Sequence, residues 1–141
     1  MPTLPNRLSA ITLFVDNVHD AKAFYATVFG LEVYYEDEVS TVFDFDGTLI
    51  NLLQRSEAVE LVAPALVAPA PTAPNAPEAL ATNPHPVTAQ FTITVTSVDE
   101  TCTALAELGV PLLNGPIDRP WGIRTAAFVD PSGHVWEIAS E

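Results

Sequence analysis

The chain has 141 residues, 48% of them hydrophobic, which is enough for one well-buried domain and too few for two ordinary ones. Its 18 acidic and 5 basic residues give a formal net charge of −13, and the basic residues do not cluster, which argues against a nucleic-acid partner. No apolar run reaches the roughly 18 residues that a membrane span needs, and the first eight residues lack the apolar core of a secretory signal.

The first half of the chain predicts one strand, one helix and three further strands. Apolar side chains alternate with small or polar ones along Ala10–Val15, which indicates a strand. Asn17 is a suitable N-cap for an amphipathic helix over 21–29, and Gly30 is a suitable stop. The three strands that follow are predicted over 31–35, 41–45 and 49–53.

The second half repeats this plan. Residues 90–95 match the first strand, and Ser97-Val-Asp-Glu100 is a capping box in front of a helix over 101–108, which Gly109 ends. The turn Asp130-Pro-Ser-Gly133 stands where the first half has Asp44-Phe-Asp-Gly47, whose last two residues favour a tight hairpin turn. The remaining strands are predicted over 110–113, 125–129 and 135–139.

A linker separates the two halves. It holds seven of the chain's thirteen prolines, and proline disfavours both helix and sheet, so we expect an extended or irregular segment without chemistry. Glu60–Ala63 is the part that could pair briefly at a sheet edge. We therefore predict a single domain over 1–141, with module one at 8–54, the linker at 55–87 and module two at 88–140.

Two further features of composition concern location and partners. The single cysteine, Cys102, excludes an intrachain disulfide, so the simplest expectation is a cytoplasmic protein. Its spacing from Val98 and Leu105 favours a small hydrophobe on the buried side of a helix. Six acidic residues fall between Glu32 and Asp46, where they predict a solvated face or, alternatively, a patch that attracts a cationic ligand.

The most recognisable stretch is Arg124-Thr-Ala-Ala-Phe-Val-Asp-Pro-Ser-Gly-His-Val-Trp-Glu-Ile138. Its aromatic strand, Asp-Pro-x-Gly turn and Trp-Glu-Ile strand resemble the last hairpin of the vicinal-oxygen-chelate superfamily, which contains glyoxalases, bleomycin-resistance proteins and dioxygenases. The resemblance implies an α+β fold of two βαβββ modules whose curved sheets surround a cleft. Small members of this family often pair, so a homodimer is implied as well.

Metal-dependent members of the family hold a divalent ion with one residue from each first strand and one from each last strand. In this chain those positions hold an alanine, an asparagine, a glutamine and a glutamate. Alanine cannot ligate a metal, and amide oxygens are weak ligands for transition metals. None of the three histidines, His19, His85 and His134, is placed to complete the set. We therefore expect no metal and no other cofactor. Carried onto this chain, the four family positions are Ala10, Asn51, Gln90 and Glu137.

In the cleft that the resemblance implies, strand alternation places Gln90 and Thr92 on the same face as Glu137, the candidate catalytic residue, and predicts a largely apolar, amide-lined pocket. The loop over 114–122 is expected to bring Trp121 and an arginine to the mouth of this cleft. Alternative roles stay open: Glu137 pairs with Arg124 or Arg119, Trp121 packs within its loop, and Gln90 and Asn51 bond to each other. The candidate ligand-binding residues are Phe14, Asn51, Gln90, Thr92, Trp121 and Arg124.

Three functions are compatible with this cleft. The leading hypothesis is a metal-independent protein that binds an aromatic or cationic, antibiotic-like small molecule. The second is a lyase, isomerase or dioxygenase that assembles an unusual metal shell or uses Glu137 as a lone general base. The third is a dimeric accessory protein whose cleft is vestigial.

Overall fold

A computed structural model describes residues 5–65 and 89–141. The chain divides into two compact units, 1–67 and 68–141, and each is described by itself. In each unit a helix follows the first strand and three more strands come after it, so the predicted βαβββ duplication is confirmed. Within the described residues, no helix is long and apolar enough to cross a membrane.

The first unit is a four-stranded sheet with the strand order β1-β4-β3-β2. The first and last strands, β1 and β4, run parallel, and the other neighbours are antiparallel. The elements are β1 at Ala10–Val15, α1 at Val18–Phe29, β2 at Val33–Glu36, β3 at Ser40–Phe45 and β4 at Thr48–Gln54.

The second unit has the corresponding order, β5-β8-β7-β6, and its first and last strands are again parallel. Because parallel neighbours need a crossover connection, a helix lies between the first strand and the rest in both units. The elements are β5 at Gln90–Thr94, α3 at Val98–Glu107, β6 at Leu112–Asp118, β7 at Arg124–Val129 and β8 at Val135–Ser140.

The predicted caps Asn17 and Ser97 form, and both helices begin three residues earlier than predicted. Asn17 Oδ1 accepts hydrogen bonds from the backbone N–H groups of His19 and Asp20 at 3.0 and 3.1 Å, and Gly30 ends α1 in the left-handed conformation. In the second unit Ser97 Oγ accepts from the backbone N–H of Glu100 at 3.2 Å. Each cap satisfies N–H groups that a helix leaves unpaired at its start.

Aspartate side chains organise the two equivalent turns. Asp44 Oδ1 accepts from the backbone N–H of Gly47 at 2.9 Å, and positive φ angles of 51° at Asp46 and 96° at Gly47 give the tight hairpin turn expected there. Asp130, which is fully buried, accepts from the backbone N–H of His134 at 2.8 Å and contacts His134 Nδ1 at 2.7 Å. Both turns are therefore fixed by side-chain bonds within a few residues.

Each sheet packs one face against its helix. In the first unit Tyr25 of α1 is fully buried and lies against Phe43 of β3, with ring centroids 6.4 Å apart. In the second unit Trp136 of β8 lies beside Phe91 of β5, with ring centroids 5.0 Å apart. Burial of one such side chain contributes roughly 1.5–3 kcal/mol. The face of each sheet that is turned away from α1 or α3 is called the helix-free face below.

Two local expectations are wrong. Glu60–Ala63 does not pair at a sheet edge, because Val59–Val62 forms the short helix α2 after a 3₁₀ turn over Arg55–Glu57. Asn114–Asp118 is not a loop but the second part of β6, which pairs with β7 through an irregular register. Residues 66–87 of the predicted linker lie outside the described residues.

Gly115 is a point of close approach between the irregular strand β6 and β7. Its φ is +88°, and a Cβ placed there would lie 2.6 Å from the carbonyl oxygen of Thr125 and 2.7 Å from Cα of Ala126. Both neighbours are backbone atoms, so they cannot rotate away as a side chain would.

We predict that Gly115→Ala lowers the free energy of unfolding by at least about 2 kcal/mol, because backbone strain and overpacking add. Gly109→Ala is the matched control: its φ is +79° but nothing lies within 4 Å of the added Cβ, so only the strain of about 1 kcal/mol remains. Urea unfolding measures both. Equal losses in the two variants would contradict the close-approach explanation.

Candidate functional site

The parallel strand pairs place a threonine beside a polar side chain at the centre of each helix-free face. In the first unit Thr12 of β1 is the register partner of Asn51 of β4. In the second unit Thr92 of β5 is the register partner of Glu137 of β8. The internal duplication relates the two pairs, so one arrangement occurs twice in this chain.

The first pair is incompletely hydrogen-bonded. Asn51 Nδ2 lies 3.5 Å from Thr12 Oγ1, at the outer limit of a hydrogen bond. Asn51 Oδ1 is buried and has no hydrogen-bond partner among the described residues. Because a buried carbonyl oxygen without a donor costs about 1–3 kcal/mol, this amide is poised to accept from an N–H or O–H group.

Apolar side chains surround this amide on the same face. The register places Phe14 of β1 beside Leu53 of β4, next to the Thr12–Asn51 pair, and Val42 of β3 directly beside Asn51. Phe14 and Leu53 are half-buried. Phe14, predicted to contact ligand, thus lies on the same face as Asn51, and together they form an apolar surface with one directed acceptor.

The second pair carries the carboxylate. Thr92 Oγ1 donates to Glu137 Oε1 at 3.0 Å, and among the described residues Glu137 forms no ion pair. The alternative in which Glu137 pairs with Arg124 or Arg119 is therefore wrong. The register partner of Glu137 on β7 is Ala127, which packs with Val129 and Val135 in a buried apolar cluster.

Gln90 and Ala10, the family positions on the first strands, lie at the beginning of β5 and β1. Both are exposed. Gln90 is the register partner of Val135, two residues before Glu137, so it shares the helix-free face with Glu137 and Thr92. That Gln90 and Asn51 bond to each other, and that the two modules enclose a cleft, stay predictions.

The hairpin between β6 and β7 ends in a turn that presents Trp121. Arg119 N–H donates to the carbonyl of Ile123 at 2.7 Å, and Gly122 N–H donates to the carbonyl of Arg119 at 3.0 Å. Trp121 is 69% exposed. An indole this exposed is not packed in a core, which leaves its ring available to contact a ligand.

Arg124 does not lie with the other candidate residues. Alternation along β7 directs it to the helix side of the sheet, where Nε and Nη2 donate to the carboxylate of Asp99 and Nη1 donates to Asp118, all at 3.0 Å. The guanidinium lowers the pKa of Asp99, and the two carboxylates raise the pKa of Arg124. Arg124 thus connects α3 to β6.

Other reactive side chains stand apart from the two threonine pairs. His134 is in the turn before β8 and is held by Asp130, and His19 lies in the first turn of α1. Cys102 is half-buried on α3, and desolvation raises the pKa of its thiol, which makes the reactive thiolate scarcer. His85 lies outside the described residues.

The residues at the four family positions do not fit a transition metal. Ala10 offers no donor atom, Asn51 and Gln90 offer neutral amides, and the single carboxylate, Glu137, accepts a hydrogen bond from Thr92. Within residues 5–65 and 89–141, no three His, Cys, Asp or Glu side chains form a group that could hold a metal ion. These side chains therefore support no chemical step through such an ion.

Sequence reasoning considered Arg119 only as a partner of Glu137 and did not include it among the candidate ligand-binding residues. Its Nε donates to Thr125 Oγ1 at 2.8 Å, and Thr125 is fully buried on the helix-free face of the second sheet. The sequence could have drawn attention to Arg119, because it is one of only five basic residues in a chain with 18 acidic ones.

The chain matches a family model described as the Glyoxalase/Bleomycin resistance protein/Dioxygenase superfamily over residues 7–138. No functionally curated protein matches it significantly.

Several solved structures share the fold. A lactoylglutathione lyase from Agrobacterium tumefaciens is 22% identical, with a TM-score of 0.64 over 96% of this chain and 94% of that one. A glyoxalase-related enzyme from Fulvimarina pelagi is 20% identical, with a TM-score of 0.76 over 97% and 89%. A glyoxalase/bleomycin resistance protein/dioxygenase from Nocardioides is 18% identical, with a TM-score of 0.77 over 99% and 85%. At such identities the likeness extends to the fold alone.

We predict that Asn51→Leu raises the free energy of unfolding by about 1 kcal/mol, because it removes a buried acceptor that lacks a donor and keeps the branched shape of the side chain. Gln90→Leu is the control, since that amide is exposed and its loss should change stability by less than about 0.5 kcal/mol. Urea unfolding compares the two. A clear loss of stability in Asn51→Leu would show that its carbonyl oxygen is already satisfied.

Proposed function

Since the chain belongs to the Glyoxalase/Bleomycin resistance protein/Dioxygenase superfamily, we propose that it binds a planar aromatic small molecule by direct contacts, without a transition metal. The observation that carries this proposal is the repeated threonine pair. At the positions where family resemblance places metal ligands on the last strands, Asn51 and Glu137 each have a threonine hydroxyl beside them. Each pair leaves one oxygen, Asn51 Oδ1 or Glu137 Oε2, without a hydrogen-bond partner among the described residues. Both side chains are therefore available for direct hydrogen bonding to a ligand.

The surroundings of these pairs support an aromatic ligand. Phe14, Val42 and Leu53 provide flat apolar area around one acceptor in the first unit, and Trp121 supplies an exposed ring in the second. Apolar walls with a few directed polar groups are the usual composition of a small-molecule site.

The acidic patch gives little support to a cationic ligand. Glu36 pairs with Lys22 at 2.9 Å, and Asp44 fixes its own hairpin turn. Asp37 accepts from Val39 N–H, Ser40 N–H and the Tyr35 hydroxyl, and the first of these bonds does most to lower its pKa. Three of the six acidic residues therefore have structural partners, which weakens the case for a cationic ligand.

The proposal includes a cytoplasmic homodimer. The pairing of small family members supports the dimer, and the single cysteine supports a reducing compartment. Sedimentation equilibrium tests the assembly: twice the chain mass of 15.1 kDa is expected, and the mass of one chain at micromolar concentration would exclude the dimer.

We predict that planar aromatic compounds raise the melting temperature in the presence of a chelator, because a ligand that binds only the native state stabilises it. At 100 times Kd the gain is about 2.7 kcal/mol, which corresponds to several degrees for a chain of this size.

The shift should shrink in Asn51→Leu and in Phe14→Ala but persist in Leu108→Ala, which truncates an exposed apolar side chain at the end of α3. A broad aromatic panel without any shift would contradict the proposal, as would equal shifts in all variants.

One observation favours a second candidate, an enzyme that uses Glu137 as a general base. Glu137 Oε1 is held by Thr92, while Oε2 has no hydrogen-bond partner among the described residues, and the residue lies beside the apolar cluster of Ala127, Val129 and Val135. A carboxylate held by one oxygen and free at the other is suited to remove a proton from a bound ligand.

For this candidate we predict that compounds which bind are also converted, and that Glu137→Gln lowers the rate by roughly 100-fold or more while the melting-temperature shift remains. Thr92→Val, which leaves the carboxylate in place, should lower it far less. Mass spectrometry of the incubated compounds measures conversion. Unaltered compounds with the wild-type protein would exclude the enzyme.

A further inference from the structure

The basic residues of this chain differ in whether a carboxylate neutralises them. Lys22 pairs with Glu36, Arg55 with Asp16, and Arg124 with both Asp99 and Asp118. The remaining two are Arg7, which is exposed near the N-terminus, and Arg119. In a chain with 18 acidic residues, a half-buried arginine without a carboxylate partner among the described residues is unexpected.

Arg119 is nevertheless held in place. Its backbone forms two hydrogen bonds across the hairpin tip, to Ile123 and Gly122, and its Nε donates to the buried hydroxyl of Thr125 at 2.8 Å. With Nε occupied, the two Nη groups keep a free edge with parallel N–H donors. This edge matches the two oxygens of a carboxylate, and holding it rigid reduces the entropy lost on binding.

The surroundings of Arg119 indicate which ligand can use this edge. Thr125 lies on the helix-free face of the second sheet. Its register partner on β8 is Ala139, two residues after Glu137 on the same face. Glu137 is bonded to Thr92 and is not within ion-pair distance of Arg119, so it leaves the guanidinium charge unneutralised. Trp121, two residues away at the same hairpin tip, presents an exposed aromatic ring.

We propose that Arg119, positioned by Thr125, binds the carboxylate of a planar aromatic ligand at the β6–β7 hairpin. This inference rests on the proposed binding function and adds the charge of the ligand to it. The net charge of −13 repels anions at long range, so affinity for a carboxylate depends on this one guanidinium.

The experiment compares matched ligands by isothermal titration calorimetry. Naphthoate, naphthamide and naphthylmethylamine share one ring system but carry a negative, a neutral and a positive group. One-ring analogues of the three complete the panel. The carboxylates are expected to bind at least about tenfold more tightly than the amides, because hydrogen bonds to charged groups are the stronger ones.

Variants then assign this preference to Arg119. Arg119→Gln should remove it, and Arg119→Lys should remove most of it, since an ammonium keeps the charge but lacks the planar pair of donors. Arg7→Gln makes the same change in net charge at the other unpaired arginine and should keep the preference. Thr125→Val should weaken it, because the guanidinium loses its acceptor.

The outcomes separate this inference from the proposed function. Amides or amines that bind as tightly as the carboxylates would overturn the carboxylate site but leave aromatic binding intact. A carboxylate preference that survives in Arg119→Gln would do the same. No binding by any member of the panel overturns both.

Discussion

The parallel pairing of the first and last strand in each module is the constraint on which the rest of the structure depends. It requires a crossover, which places α1 and α3 on one face of their sheets and the two threonine pairs on the other. It also fixes the register, so that the threonine of each first strand lies beside the central polar residue of the last. A slip of one residue would turn Asn51 and Glu137 toward the helices and bring Ile50 and Trp136 to the opposite face.

Most of the fold could be predicted from local signals, and the exceptions have physical reasons. The caps at Asn17 and Ser97 and the turn at Asp46-Gly47 use bonds within four residues, so the sequence alone contains the information. The second part of β6 was missed because Gly115 and Pro116 are typical of loops, yet an edge strand tolerates both. The helix α2 follows a 3₁₀ turn and leads toward the proline-rich segment, where short-range patterns do not distinguish helix from strand.

The candidate site could be predicted only in part. Alternation correctly grouped Thr92, Gln90 and Glu137 on one face, because side-chain direction in a strand follows sequence parity. The same parity separates Arg124 from them, since Thr125 next to it faces the opposite way. The unsatisfied Asn51 oxygen and the bond between Arg119 and Thr125 depend on distances between strands, which the sequence does not contain.

The central claim is that this family member acts through direct contacts at Asn51 and Glu137 and not through a metal ion. Elemental mass spectrometry tests it most directly, on protein purified from cells without a chelator or a metal affinity tag. The account predicts metal well below one equivalent per chain and no change in melting temperature when divalent ions are added. Near-stoichiometric zinc, nickel, manganese or iron, removable only with loss of stability, would contradict it.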